Sequence, residues 1–146
     1  MSGDGGDGGR DGALLRLVEG IPYARFLHLR FERRGEELTA VLPFREALLG
    51  NPRIPALHGG ATASFLEVAA IVELAWGREG EGPAPLPKTI DFAVDYLRPG
   101  LAQDAFARAR VARSGRRYAS VHVEAWQDRR DRPFAQASGH FLMAEG

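Results

Sequence analysis

Residues Leu57–Trp76 read LHGGATASFLEVAAIVELAW, and how this stretch folds decides the rest. After His58-Gly59-Gly60 nearly every residue is small or apolar, apart from Glu67 and Glu73. A helix that is apolar on most of its faces is a buried helix. Ala61, Ala63, Ala69, Ala70 and Ala75 favour helix and let neighbouring segments approach closely. The pattern predicts one helix from about Gly59 to Trp76, stopped by Gly77 and followed by the breaker-rich GREGEGPAPLP. Such a helix needs a sheet that curls around it.

The flanking sequence supplies strands. Thr89–Leu97 alternates, with Ile90, Phe92, Val94 and Tyr96 in one phase. Arg98-Pro99-Gly100 is a turn, and Ala102–Arg113 is a second strand. Ser114-Gly115 reads as a hairpin turn, Arg117–Gln127 as a third strand and Pro133–Met143 as the last. Upstream, Leu14, Leu15, Leu17 and Val18 give a short amphipathic helix that Gly20 stops. Phe26–Arg33 and Glu37–Leu42 read as two strands joined at Gly35. Strands on either side of one long helix indicate an α+β fold. Residues 1–12 hold six glycines and no large apolar side chain, so they are expected to be a disordered tail. Residues 13–146 are expected to be a single domain, with no internal repeat.

Composition narrows the function. The chain has 146 residues, 45% hydrophobic and 26% charged, enough for one real core. It has no cysteine, which excludes disulfides, thiolate nucleophiles and thiolate-bound metals, and no His/Asp/Glu group has metal-ligand spacing. The 19 basic and 19 acidic residues cancel, which argues against general nucleic-acid binding. MSGDGGDGGRDG has no apolar signal region, and no run of about 18 apolar residues stands out as a membrane span. A cytoplasmic protein without a membrane partner is the expectation. Ser64 lacks a G-x-S-x-G setting, so a serine hydrolase is excluded. No phosphate loop of the P-loop kind is present.

Two features of the helix carry chemistry. Gly59 and Gly60 stand at its start, where backbone N–H groups lack intrahelical partners and the helix dipole is positive. Glycine there lets a ligand approach the backbone, which suits an oxyanion; a tight strand-to-helix turn is the plainer reading. Glu67 lies two turns into an otherwise apolar helix, so its carboxylate must be paired, hydrated or functional. Glu73 lies six residues further, about 240° round the helix, and reads as structural.

On these residues the chain resembles the hotdog-fold acyl-CoA thioesterases of the phenylacetate-pathway and 4-hydroxybenzoyl-CoA type. The matching segments are His58-Gly59-Gly60 with Glu67 nine positions after the histidine, TIDFAVDYLRPG (Thr89–Gly100), ARVARSGRRYASVHVEAW (Ala109–Trp126) and PFAQASGHFLM (Pro133–Met143). The resemblance implies a curved antiparallel sheet wrapped around one central helix. It implies hydrolysis of an acyl-CoA to free acid and coenzyme A, the coenzyme being part of the substrate and no other cofactor being needed. It gives Glu67 the role of general base or nucleophile and Gly59 N–H that of oxyanion donor. His58 would hold the loop. Asn51 resembles a polar residue that precedes the motif, although it stands seven positions before His58 rather than six, and an Asx turn before Pro52 explains it as well. Thr89 resembles a Ser/Thr that holds the water or the carboxylate. Gly60, Arg98, Arg113, Arg116 and Arg117 would border the coenzyme, as guanidinium groups suit phosphate.

The resemblance also implies a homo-oligomer, a dimer or a dimer of dimers, with Glu67 from one chain and Thr89 from the other. Relatives of the phenylacetate type carry Asp where this chain has Glu67. The competing reading is a non-catalytic acyl-CoA-binding or regulatory hotdog protein, which would have no need to bury Glu67. A hotdog dehydratase would pair its acid with a catalytic histidine, which the sequence does not show. His28, His122 and His140 read as ordinary strand residues.

Overall fold

The computed structural model describes residues 2–77 and 85–143. The expected loop after Gly77 falls largely outside these residues, as do the last three positions of the chain. The elements run α1 (Ser2–Glu19), α2 (Pro22–Phe26), β1 (Arg30–Arg34), β2 (Glu37–Leu42), a 3-10 turn (Glu46–Leu48), β3 (Leu49–Asn51) and β4 (Ala56–Leu57). They continue with α3 (Gly59–Gly77), β5 (Lys88–Tyr96), β6 (Ala105–Ser114), β7 (Tyr118–Trp126) and β8 (Ala135–Leu142). Six antiparallel strands form one sheet in the order β1-β2-β6-β7-β8-β5. β3 and β4 form a separate short hairpin in front of α3.

α3 lies where its apolar sequence demands. Phe65, Leu66, Ala70 and Val72 are fully buried, packed on Ala105, Ala107, Val121, Val123, Ala125, Ala135 and Phe141 of the sheet. The alternation of small alanines along β6, β7 and β8 provides the close approach. By length and composition α3 is apolar enough to cross a membrane, but more than half of it is buried inside the fold, as in a core helix. One stripe stays half-exposed: Ala63, Ser64, Glu67 and Ile71, spaced at helical intervals. Beside it, β5 is the edge strand, and Ile90 and Tyr96 on it are about half exposed. The hotdog arrangement expected from the resemblance is therefore present.

One expectation fails near the N-terminus. Phe26 does not begin a strand; it ends α2, with Pro22 in the first helical turn, where a missing N–H costs nothing. His28, at φ 58°, closes this helix. Its N–H reaches Arg25 O at 3.0 Å and Leu29 N–H reaches Ala24 O at 2.9 Å, the double bond pattern of a left-handed helix stop. A histidine fills the place glycine usually takes, so the stop was hidden. The helix expected from Ala13 is longer at its start: α1 is assigned from Ser2. Arg10 lies 4.6 Å from the Trp76 ring centroid and pairs with Glu36 at 2.6 Å, while Asp11 pairs with Arg33 at 2.7 Å. These contacts reach residues far along the chain, which local composition does not reveal.

Candidate active site

The start of α3 is held from three sides. Leu57 N–H donates to Gly100 O at 2.8 Å, and His58 N–H donates to Leu48 O at 2.7 Å. Gly100 is a close-approach glycine, since a Cβ there would stand 3.0 Å from Leu57 Cδ1 and 2.9 Å from a Phe134 ring carbon. Tyr96 Oη, at the end of β5, donates to Gly59 O at 2.8 Å. The His58 side chain caps the helix: its Nδ1 accepts the Gly60 N–H at 2.9 Å. The neutral tautomer that this bond requires has its proton on Nε2. A Cβ at residue 60 would stand 3.0 Å from that nitrogen, so Gly60 serves the cap. The Gly59 N–H has no acceptor among the described residues. His58 and Gly60 thus aim the turn, while Gly59 presents a donor at the positive end of the helix.

Glu67 is half-buried on the uncovered stripe of α3. Thr89 Oγ1 donates to Glu67 Oε2 at 2.8 Å, within a single chain. The expected division, with Glu67 from one chain and Thr89 from another, is thereby corrected. The cause is local: β5 runs beside α3, and a register shift between Thr89 and Asp91 marks an irregularity at this point of the strand. Thr89 occupies one carboxylate oxygen and fixes the rotamer, which leaves Oε1 for a water or a substrate.

The structure does not bring the other candidates to this point. Asn51 ends β3, and its side-chain oxygen accepts the Arg53 N–H at 3.0 Å, the Asx-turn reading. Arg98 donates from Nη1 to Pro133 O. Arg113 lies near the end of β6, and Arg116 and Arg117 lie in the β6–β7 turn. That turn adjoins the start of β5 through β8, since Leu142 pairs with both Tyr118 and Lys88. Tyr96, which the sequence marks only as one phase of a strand, anchors the helix start. Its phase with Phe92 and Val94, both packed on the core, was the signal available. His140 pairs with Asp91 at 2.8 Å and His122 contacts Ser138 at 3.2 Å, so both rings are engaged by partners other than Glu67. Among the described residues no cluster of His, Asp and Glu is arranged to hold a metal.

Glu73 occupies a different place, as its angle round the helix requires. β2 pairs with β6 only from Ala40↔Ala107 to Leu42↔Ala105. Beyond these pairs Leu38, Arg108 and Val111 line a cavity of about 400 Å³ that reaches Glu73 on α3. Burial pushes the Glu73 carboxyl up to about 7; Arg108 opposes the rise and Glu36 adds to it. The folded state therefore holds a proton that the unfolded chain releases near the ordinary glutamate value of 4.5. The favourable protonated form is complete below that value, and stability falls as pH rises toward 7. Glu73→Gln, a permanent stand-in for the protonated carboxyl, is expected to flatten this fall. Thermal melts from pH 4.5 to pH 8 should show the variant gaining on the wild type as pH increases; parallel curves would contradict the assignment.

Comparison with known proteins agrees with this geometry. A family profile described as the acyl-CoA thioesterase N-terminal domain matches residues 50–142. The medium/long-chain acyl-CoA thioesterase YigI of Escherichia coli is 34% identical over 120 residues, covering 74% of this chain and 77% of that protein. A solved structure from Chromobacterium violaceum is 39% identical, with a TM-score of 0.72 and 93% of each chain covered. A thioesterase-superfamily structure from Shewanella oneidensis gives 26% identity and a TM-score of 0.74, covering 92% of this chain and 97% of its own.

Proposed function

The chain belongs to the acyl-CoA thioesterase family, and from that premise we propose that it hydrolyses medium- or long-chain acyl-CoA with Glu67 as general base. The carrying observation is the half-buried Glu67 carboxylate with one oxygen held by Thr89 at 2.8 Å and the other unclaimed. Glu67 takes a proton from water, and the water oxygen attacks the thioester carbonyl carbon. The carbonyl oxygen becomes an oxyanion on the Gly59 N–H. Collapse breaks the C–S bond, and the proton held by Glu67 passes to the departing thiolate. The products are the free acid and coenzyme A, with no cofactor beyond the coenzyme moiety of the substrate. The chain length follows the curated name of the 34%-identical relative. By the family resemblance, Gly60 and the arginines Arg98, Arg113, Arg116 and Arg117 would border the coenzyme arm.

The working unit in this reading is a dimer. Gly59 and Glu67 are eight residues apart on one helix, about 12 Å along its axis. A reacting carbonyl must lie ~3 Å from both base and oxyanion donor. The glutamate side chain recovers only a few ångströms of that gap, so one chain's own pair does not converge. A second copy whose α3 runs antiparallel on the uncovered stripe brings Gly59 of one chain to Glu67 of the other. The free edge of β5, with exposed Ile90 and Tyr96, supports the same pairing.

The direct test is release of thiol from acyl-CoAs of graded chain length. Turnover that rises toward medium or long chains fits the reading. Tight acyl-CoA binding without thiol release would favour the non-catalytic binding protein instead.

A further inference from the structure

The seam where β2 and β6 part opens the cavity of about 400 Å³ that reaches from Arg110, His122 and Trp126 down to Glu73 on α3. That volume is in the range of small-molecule pockets. It is set apart from the candidate active site: Glu73 stands six residues beyond Glu67, about 9 Å further along α3 and about 240° round its axis. Leu38, Ala109 and Val111 give the cavity an apolar wall.

Two polar groups in this cavity lack partners. Arg108 Nε is buried and has no hydrogen-bond partner. Arg108 Nη2 donates to Thr39 Oγ1 at 2.8 Å, and Nη1 lies 3.5 Å from Glu37, so the guanidinium is held in place with Nε as its spare donor. The Glu73 carboxyl makes no hydrogen bond or ion pair with another described residue. The charge of Arg108 is felt at Glu73, yet the two side chains do not meet. A buried donor without an acceptor is costly. A group lying between them, with one acceptor for Arg108 Nε and a second for a proton on Glu73, satisfies both.

We infer that this cavity is a second ligand site, separate from the reaction centre, for an alkyl carboxylate. One ligand oxygen accepts from Arg108 Nε, the other accepts from the protonated Glu73 carboxyl, and the tail lies along Leu38, Ala109 and Val111. The site stands on its own residues. The thioesterase reading adds only a source, because the acid released by that reaction has this chemistry.

The charges around the cavity favour an anion. Glu36 pairs with Arg10 at 2.6 Å, and Glu37 is the carboxylate beside Arg108. Arg110 and Arg130 have no carboxylate partner among the described residues; Arg130 lies over the Trp126 ring, 5.5 Å from its centroid. Against these two free cations stands Glu124, across the strand pair from Arg108. An ammonium group would find Arg108 Nε opposed to it and no acceptor left over for that donor.

The arrangement carries a pH signature. An alkyl carboxylate stays ionised between pH 6 and pH 8. Burial pushes the Glu73 carboxyl up to about 7, so Glu73 loses its proton within that interval, and two carboxylates then face each other. Binding is therefore tighter at pH 6 and weaker at pH 8. His122, whose Nδ1 contacts Ser138 at 3.2 Å, is the other cavity group of a type that changes charge near neutrality, and the variants below separate it from Glu73.

The experiment titrates wild type with octanoate at both pH values and reads the fluorescence of Trp126, which lines the cavity. A Trp126→Phe control leaves the buried Trp76 as background. The expected result is a saturable change that the control lacks, with Kd about tenfold lower at pH 6 than at pH 8. Octanol, acetate and octylammonium at the same concentrations should bind far more weakly, since each lacks the carboxylate, the tail or the negative charge. Glu73→Gln should still bind octanoate, because an amide donates, but with the same Kd at both pH values. Arg108→Lys, which keeps the charge and removes Nε, should weaken binding by about tenfold in protein shown to be folded by a thermal melt. No saturable change in wild type overturns the site, as does octanol binding as well as octanoate or octylammonium binding better. A pH dependence that survives in Glu73→Gln overturns the role of Glu73 and gives the proton to His122. Octanoate that slows turnover without moving the Trp126 signal occupies the reaction centre only, which also overturns the second site. A wild-type protein that binds octanoate at Trp126 yet releases no thiol from octanoyl-CoA keeps this site and sinks the thioesterase reading, so the two fail separately.

Discussion

Glu67→Gln is expected to lower kcat by roughly 10²–10⁴-fold while KM changes much less. The amide keeps the length of the side chain and can still accept the Thr89 hydroxyl, so helix and strand stay joined. What disappears is the ability to take a proton from water. Folding should be intact by circular dichroism, which separates a chemical loss from a structural one. Glu67→Asp is the companion. It draws the carboxylate back by one methylene and away from Thr89. If the group works through water, the water fills the added space and part of the activity survives. If the carboxylate itself attacks the carbonyl, the shorter reach leaves almost none. A folded Glu67→Gln protein with wild-type kcat would remove the base and move acyl-CoA binding without catalysis ahead.

How much of this was legible beforehand depended on whether the signal was local. α3 announced itself because a stretch apolar on nearly all sides, opened by Gly-Gly and closed by Gly77, has few alternatives. Strands β5 to β8 were legible because period-two alternation and turn residues act over a few positions. The helical stop at His28 was not, because a non-glycine residue with positive φ leaves no mark in composition. Nor was the helical assignment ahead of Ala13. The glycines of α1 carry poor helix propensity, and what argues for helix is Arg10 on Trp76 and Asp11 on Arg33, contacts that only the assembled fold creates.

The site divides along the same line. Helix position alone marked Gly59 and Glu67 as unusual groups, and the family resemblance added His58 and Thr89. Which groups meet was a different question. The resemblance implied Thr89 across a subunit boundary, whereas strand and helix of one chain join it to Glu67. Tyr96 and Gly100, which aim the start of α3, read as an ordinary strand residue and a turn. Their importance comes from what they touch. The same holds for Glu73, whose burial depends on where β2 and β6 part.

The second large effect is a rescue. Gly59→Pro is expected to cost about 10²–10³-fold in kcat, because proline lacks the N–H that would hold the oxyanion. The fold should tolerate it. Residue 59 opens α3, where proline suits the helix, and a Cβ there meets Tyr96 only at ordinary contact distance, 3.5 Å. Glu67→Gln is likewise inactive on its own. If each site takes its donor from one chain and its base from the other, a mixed dimer of the two variants has one doubly damaged site and one intact site. Random pairing makes half of the dimers mixed, so unfolding and refolding the two inactive proteins together should restore about a quarter of the wild-type rate. Each variant refolded alone should stay inactive. No restoration in a sample shown by light scattering and mass-tagged subunits to contain mixed dimers would mean that one chain builds its own site. The helix would then have to bend or unwind between Gly59 and Glu67 to bridge about 12 Å.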